Sequence, residues 1–420
     1  MNYFQFIQKH SVMVFFGIMM TALSSFGQTF LLALYVPFLI EEFALSNGLI
    51  STFYGVATIA SAAVLPKVGK LIDTVPLKKF TLFTTLLFLV ALLFFSFAQA
   101  WWYIPIAFLG LRLAGQGLYS HIAITTMSRY FVENRGKAIS LASLGHPLGQ
   151  AVLPAIILLV ITQIGWRESL WLNATLVAVV VTCYTLFVVK PKHLVSESKE
   201  EISDNQKEKK VDKVRQRDIM KSKEFLLLAP NIFFIPFAIT GLFFYQFPIV
   251  EFKGWSVGVI AVGLTAYAIA SSTSILTAGP LIDKYRAKTF FPFYLIPFLI
   301  GILVIWFGNS SWTMYVYMVL IGLSTGFGSA TVSALQVEFF GQKYIGTVRS
   351  LFTSIMVLSS AVGPALYGVL LDAGLGFNVV FSVTSALLLI VILQSFRSIP
   401  KYSKAKWKYK FRNRKKKSKG

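Results

Sequence analysis

Arg112 stands inside a long apolar run, with Gln116 and Tyr119 following it at intervals of four and three residues. On an α-helix those spacings share a face, so a guanidinium, a carboxamide and a phenol are expected to point the same way. A charge at such a depth costs at least about 2.5–3.5 kcal/mol on insertion scales, and intramembrane ionisable residues usually line a pathway. No Asp or Glu falls in the middle of any apolar run; Glu41, Glu42, Glu338 and Asp372 all sit at run ends. Arg112 then has two readings. Backbone carbonyls and hydroxyls of neighbouring helices satisfy it, or it faces a water-filled cavity and binds an anion. The second is preferred, because an anion would supply the missing charge. Two histidines also lie within apolar runs. His146 shares a stripe with Ser143 and Gln150 and is the candidate proton carrier, since an unperturbed histidine titrates near ~6.5; a hydrogen-bonded packing role competes with that. His121 continues the small-residue stripe Gly110, Ala114, Gly117 and reads as helix packing.

Other chemistry is missing from the sequence. Cys183 is the single cysteine, so no disulfide within the chain is possible, and the four histidines have no metal-ligand spacing. No nucleophile motif and no phosphate-binding loop occurs. The sequence therefore predicts neither an enzyme nor an ATP-driven pump, and neither cofactor nor metal. Polar stripes do recur: Thr21, Ser24, Gln28 and Tyr35 in one run, and Thr325, Ser329, Ser333 and Gln336 in another. In lipid such stripes must face protein or water, and interhelical hydrogen bonds are the bland explanation for each hydroxyl.

The elements that position these residues follow from composition. The chain is 56% hydrophobic and 13% charged, against roughly 25% charged in an ordinary soluble domain. A spanning helix needs roughly 20 mostly apolar residues, and the sequence predicts twelve. They fall near 12–40, 48–66, 80–99, 103–131, 138–163 and 169–190, then 225–250, 255–279, 289–307, 312–340, 348–372 and 377–398. Arg112 enters about nine residues into the fourth, or ~13 Å deep at 1.5 Å per residue. The first run is too long for a signal peptide and is expected to be retained. Between the halves, 191–224 has ten Lys/Arg and eight Asp/Glu with no aromatic residue, the composition of a flexible or partly helical linker. The expected organisation is a six-helix bundle at 1–190, the linker 191–224, a second bundle at 225–398 and a basic tail at 399–420.

Lys and Arg are distributed unevenly. Twelve fall in alternate loops, among them Lys67, Lys70, Lys78, Lys79, Arg129 and Arg286, while the opposite loops hold only Arg167 and Lys253. The positive-inside rule then puts both termini and the linker in the cytoplasm, and the expected location is the plasma (inner) membrane. Residues 401–420 hold eleven Lys/Arg and no acid. Beside a membrane such a tail is expected to meet anionic lipid headgroups; nucleic acid is not an expected partner.

The halves echo each other. A shift of 210 residues places Gly69 and Asp73 on Gly279 and Asp283, Gly136 and Ser140 on Gly346 and Ser350, and Tyr35 on Tyr245. Tyr54, Thr58 and Ser61 match Tyr267, Ser271 and Ser274 at a shift of 213. Parallel six-helix repeats belong to alternating-access transporters.

Particular motifs resemble the major facilitator superfamily. Gly69-x-x-x-Asp73 with Lys78-Lys79 is similar to its loop signature between helices 2 and 3, although Thr74-Val75-Pro76 stands where a basic residue and glycine are usual. Gly279-Pro-Leu-Ile-Asp283, with Arg286 and Lys288, is its echo between helices 8 and 9. Arg112-x-x-Gly115-Gln116-Gly117 resembles the helix-4 motif, and Gly145-His-Pro-Leu-Gly149 partly matches the helix-5 motif of antiporters. Gly363-Pro364-x-x-x-Gly368-x-x-x-Asp372 resembles the monocarboxylate and oxalate/formate-like branches. The resemblance implies an all-α polytopic membrane protein, about twelve transmembrane helices in two pseudo-symmetric six-helix bundles around a central cavity. It also implies that helices 1, 4, 7 and 10 line that cavity. Substrate contacts are then expected from Arg112, Gln116, Tyr119, Gln28, Tyr35, Tyr245, Ser329 and Ser333, and gating from Gly69, Asp73, Gly279 and Asp283.

The expected function is secondary active transport of a small organic anion, such as a monocarboxylate, with proton coupling or exchange. Two alternatives stand beside it: an exporter of hydrophobic or cationic compounds, and a non-transporting membrane sensor on a transporter scaffold. The topology is testable directly. Reporter fusions after residues 100 and 205 should read opposite sides of the membrane; signals from one side would overturn the twelve-span reading.

Overall fold

The computed structural model describes residues 3–131, 135–189, 216–340 and 345–402. The basic tail from 403 onward and most of the charged linker lie outside those residues. Within them the chain is helical, without a strand. The first span is built from three pieces, Tyr3–Leu23, Thr29–Leu32 and Val36–Phe43. Asn47–Gly69, Leu77–Ser96 and the continuous helical stretch 103–130 follow. Arg135–Ser143 and Gly145–Ile164 form the fifth span, and Trp166–Cys183 the core of the sixth. The second half repeats the order: Lys223–Phe244 extended by Gln246–Phe252, Gly258–Tyr285, Ile296–Phe307, Trp312–Phe340, Ile345–Asp372 and Gly376–Tyr402.

Ten of these helices are long and apolar enough to cross a membrane, and Ile296–Phe307 is a shorter apolar one. The fourth span is not among the ten. Arg112, Gln116 and His121 dilute its apolarity, which is the reason it attracts functional interest. Phe83, Leu86, Val90, Ile156, Leu159 and Ile390 are among the apolar side chains exposed on the outside of the bundle. In water that surface would be untenable; against lipid tails it is the expected one. The architecture is that of a polytopic helical membrane protein, with two six-helix halves around a central cavity.

Two expected boundaries move. The first helix begins at Tyr3, well before residue 12, and it is broken where one continuous span was expected. Helix also reaches into the segment expected to be linker, at Gln216–Met220 and from Lys223. A capping signal explains the second start: Ser222 Oγ accepts from the Phe225 N–H at 3.2 Å, satisfying one of the donors a helix N-terminus leaves unpaired. Ser46 does the same for Asn47–Gly69 through Leu49 N–H, at 3.1 Å.

Within the second half, Gly258–Tyr285 packs along Trp312–Phe340, and Lys223–Phe244 packs along Ile345–Asp372. Across the halves, Asn47–Gly69 meets Ile345–Asp372 and Gly145–Ile164 meets Gly258–Tyr285. The latter contact includes a hydrogen bond from Thr265 Oγ1 to the Ala151 carbonyl at 2.6 Å. Four helices thus make the seam between halves that must separate and re-form if the cavity is to open on either side.

Arg286 joins Gly258–Tyr285 to the short helix Ala287–Phe290 with φ 68° and ψ 146°. Side chains other than glycine's are strained there, at about 1–3 kcal/mol. Arg286→Gly is therefore expected to raise the thermal stability of the purified protein by about 1 kcal/mol, after allowing for the extra freedom glycine gives the unfolded chain. A fall in the melting temperature would show that the arginine side chain outweighs the strain.

Candidate functional site

The first span breaks where a membrane protein can least hide it. Ser24–Gly27 is a tight 3₁₀ turn, and Gln28 is extended at φ −85°, ψ 153° before helix resumes at Thr29. Irregular backbone at membrane depth is tolerated only when protein buries it or it lines a cavity, and both hold here. Gly27 is buried against the fourth span so closely that a Cβ on it would lie 2.3 Å from the Leu111 carbonyl oxygen and 2.4 Å from the Gln116 nitrogen. Gly115 answers from the other side, its own Cβ position being 2.9 Å from Gly27 N. The fourth span is also irregular at this point. Arg112–Tyr119 is a π-helical segment, a form that is rare and concentrated at functional sites.

That segment decides which residues reach the cavity. Hydrogen bonds in a π-helix run i→i+5, so each turn takes in almost one residue more than an α-helix does and the seven-residue repeat fails. Arg112 and Gln116 line the cavity. Tyr119, expected on the same face, turns into the bundle and donates to Thr85 Oγ1 at 3.1 Å. Tyr35 departs for a similar reason. The break at Gln28 destroys the phase of the first span, and the Tyr35 phenol lies buried against Ser169 Oγ (3.0 Å) and Asn173 Nδ2 (3.0 Å). Ser329 and Ser333 are exposed and stand outside the cavity lining. Tyr245 is at the seam between the halves, described below.

The cavity has a volume of about 510 Å³. Gln28, Arg112, Gln116, His146 and Gln150 line it from the first half, and Thr240, Phe243, Tyr267 and Met356 from the second. No Asp or Glu is among its described lining residues. Arg112 is 4% exposed and poorly satisfied. Its Nη1 is 3.5 Å from the Gly27 carbonyl oxygen and 3.5 Å from Thr29 Oγ1, long against a usual range of about 2.7–3.2 Å. Its Nε has no hydrogen-bond partner among the described residues. The guanidinium carbon is 4.8 Å from the centre of the Tyr54 ring, a cation–π contact that holds the charge without neutralising it. His146 stacks on Phe30, ring centres 6.2 Å apart and 16° from parallel.

At one end the halves are fastened together. Asp372, the last residue of Ile345–Asp372, accepts from the backbone N–H of Asn47 at 3.0 Å and of Gly48 at 2.7 Å. Those are unpaired donors at the start of Asn47–Gly69, where the helix dipole also favours a negative charge. Tyr245 donates to the Asn47 carbonyl at 2.9 Å, and Gln246 Nε2 to the Phe30 carbonyl at 3.1 Å. Tyr54 and Phe244 close the layer beneath, ring centres 5.0 Å apart. The sequence pattern Gly363-Pro364-x-x-x-Gly368-x-x-x-Asp372 acquires a structural meaning here. Gly363 lets the helix approach the Phe237 backbone, Gly368 makes room for Ser51 and Tyr245, and Asp372 ties the end across. The motif places a carboxylate one helical turn beyond Gly368 but carries no sign of the backbone donors it binds.

The cavity lies on the far side of this seal. Its lining residues Thr58, Ser61 and Leu65, and Thr353 and Met356, come from the parts of their helices remote from Asn47 and Asp372. At that remote end Gly69 packs against His121, whose Nε2 is 3.2 Å from the Gly69 carbonyl oxygen, and Arg129 Nη1 donates to the Ile72 carbonyl at 2.8 Å. A Cβ on Gly279, its echo, would meet nothing within 4 Å. The side chains of Asp73 and Asp283 lie outside the described part of the structure.

Helical spans, a broken first helix and a polar cavity at the seam of two halves define a membrane protein of transporter architecture. The sequence model of the Major Facilitator Superfamily matches twice, over residues 15–264 and 246–419, and the chain belongs to that superfamily. It is similar to the bacillibactin exporter of Bacillus subtilis, 28% identical over 162 residues that make up 38% of this chain and 40% of that one. The aligned part thus spans about two fifths of the curated relative. Among solved structures, an inward-facing, unoccupied bacterial homolog of the human lysosomal transporter Spinster superposes with a TM-score of 0.73. It is 14% identical, covering 95% of this chain and 99% of that one. The nucleoside transporter NupG superposes with a TM-score of 0.71 at 12% identity, covering 92% and 99%. At these identities the likeness is one of fold.

The seal can be loosened without touching the cavity. Asp372→Asn keeps the side-chain size and removes the charge from the helix N-terminus, worth about 1 kcal/mol, so the sealed population should fall roughly fivefold relative to the separated one. Spin labels at Leu49 and Leu375, both exposed, in a Cys183→Ser background would read this as a growing long-distance component. An unchanged distance distribution would remove Asp372 from the seal.

Proposed function

We propose that this protein is a secondary active transporter of an organic anion, working by alternating access, with both termini in the cytoplasm of the cell that makes it. The observation behind the substrate class is the state of Arg112. A buried guanidinium faces the cavity, holds long contacts to a carbonyl and a hydroxyl and a ring contact with Tyr54, leaves Nε unpaired and has no carboxylate among the described cavity-lining residues. Buried charges are ordinarily paired, and an anionic substrate would complete this one with two parallel hydrogen bonds. The membership in the superfamily supports transport as such.

His146 lines the same cavity and is the candidate for proton coupling, and exchange of one anion for another is the competing scheme. With the termini in the cytoplasm, the seal at Asn47 and Asp372 is on the outer face and the cavity is directed inward. Gly69, Asp73, Gly279 and Asp283 are then the gating elements at the cytoplasmic end, and the basic tail lies against anionic headgroups of the plasma (inner) membrane. Export is a second reading for the direction of transport, and the likeness to the bacillibactin exporter supports it. The seam across which the halves are fastened favours a moving transporter over a static sensor.

Arg112→Lys should weaken anion uptake at least tenfold, because lysine does not reproduce a bidentate grip, and Arg112→Gln should nearly abolish it. Both proteins should reach the membrane in wild-type amounts. Uptake into proteoliposomes, normalised to inserted protein, measures this. Folded Arg112→Gln protein moving anions at the wild-type rate would refute the anion site and leave export of neutral or cationic compounds.

A further inference from the structure

The charge and the carboxamides of the cavity all come from one side of the seam between the halves, whereas apolar side chains come from both, Phe30, Leu65 and Leu113 among them in the first half. The first half contributes the charge and three carboxamides: Arg112, Gln28, Gln116 and Gln150. None of those amide side chains is hydrogen-bonded to another described residue, so each offers two N–H donors and a carbonyl to whatever occupies the space. The second half contributes no charge and no carboxamide to the described lining: Pro236, Ile239, Phe243, Met356 and Val357 stand there with the hydroxyls of Thr240, Tyr267, Thr353 and Ser360. Its hydroxyls are partly committed elsewhere: Ser360 donates to the Val357 carbonyl at 2.8 Å, and Tyr267 accepts from Thr325 at 3.1 Å. Met356, a flexible and polarizable side chain that adapts to irregular ligands, is 46% exposed on this wall.

We propose that the cavity selects an amphiphilic anion, its oxyanion head held by Arg112 and the carboxamides of the first half and its apolar body laid on the second-half wall. The proposal rests on the reading of Arg112 as an anion site and narrows the substrate beyond it. A short monocarboxylate would satisfy the head and leave the apolar wall wet. The volume of about 510 Å³ falls in the range of roughly 300–1,000 Å³ typical of sites for drug-sized ligands, which a three-carbon acid would leave largely to water. A neutral apolar compound would fill the wall and leave the guanidinium and three amides unpaired, a penalty of the kind that polar sites use to reject analogues lacking the matching group. An arylalkanoate meets both walls at once. Aromatic bodies suit this wall in particular, because Phe243 already meets Tyr267 edge-on, ring centres 5.1 Å apart, and a third ring extends the cluster.

Calorimetric titration of the purified full-length protein tests this with acetate, butyrate, phenylacetate and 4-phenylbutyrate, together with neutral 4-phenylbutanol and cationic 4-phenylbutylamine. Affinity should rise about fourfold for each methylene that reaches the wall, so 4-phenylbutyrate should bind more than a hundredfold tighter than acetate, and the alcohol and amine far more weakly than the acid. Met356→Ser and, independently, Ile239→Thr should each lower the ratio of 4-phenylbutyrate to acetate affinity by about fivefold. Arg112→Gln should weaken all four acids alike. If acetate binds as tightly as 4-phenylbutyrate, or the ratio is indifferent to both wall variants, the amphiphile proposal is overturned while the anion site stands. If the amine or the alcohol binds as well as the acid, or Arg112→Gln leaves acid binding unchanged, the anion site itself is wrong and the proposal goes with it.

Discussion

Much of this molecule depends on one contact without side chains. Gly27 and the Gly115–Gln116 peptide touch backbone to backbone, where a broken helix meets a π-helical segment. Neither irregularity would survive alone in a bilayer, since each frees polar backbone groups that lipid cannot satisfy. Together they bury most of that backbone in each other, and what is left over points inward. The Gly27 carbonyl near Arg112, and the extended Gln28 beside it, are products of that arrangement. A methyl group at either glycine would push the spans apart and dissolve the geometry that keeps Arg112 within reach of the cavity, so the cost of a substitution there would fall on the site before it fell on the fold.

How much of this was legible beforehand depends on the length scale. Twelve spans, an even count and a repeated half could be read from apolar runs and shared motifs, because each is written in residue type over twenty positions. Arg112, Gln28 and Gln116 were legible as substrate-contact candidates and His146 as a candidate proton carrier, and all four side chains lie on the cavity lining. Tyr119 and Tyr35 were misplaced because their assignment assumed an unbroken α-helical period. A π-helix and a 3₁₀ turn are choices of hydrogen-bond register, and residue type hardly records register. Ser329 and Ser333 shared a face as expected, but which way that face turns is decided by the packing of Trp312–Phe340 on Gly258–Tyr285, which no local pattern encodes. Asp372 was legible as a charge at a run end and as the last residue of a motif, but what it binds was not. Its partners are backbone N–H groups more than three hundred residues away, and sequence carries no trace of a backbone donor.

The seal and the cavity use opposite kinds of bonding. The seal is made of a carboxylate on a helix start, two side chains on carbonyls and a pair of rings, each worth little alone and all on the seam. Contacts inside each half and across the seam both depend on glycines: Gly145 admits the Ile18 carbonyl and Gly363 the Phe237 carbonyl, and Gly55 and Gly368 bring Asn47–Gly69 against Ile345–Asp372. What sets the seal apart is its polar chemistry: a carboxylate on backbone N–H groups and side chains on carbonyls are bonds that can be exchanged for water when two packed bodies move as units.

The placement of Arg112 between a polar cavity and a dry seal also has an electrical consequence. Water and mobile ions on the cavity side short out the field there, so the transmembrane potential falls mainly across the thin layer of rings and carbonyls between Tyr54 and Asn47. If that layer parted and the opposite end closed, as the proposed cycle requires, the drop would shift to the other side of the guanidinium. A charge that hardly moves in space would then have crossed a large part of the voltage, at about 2.3 kcal/mol per elementary charge for each 100 mV. Under the proposed anion site, an empty carrier would feel the membrane potential through Arg112 and one holding a monovalent anion against it would not, so the resting voltage of the cell would bias one limb of the cycle and leave the other nearly untouched.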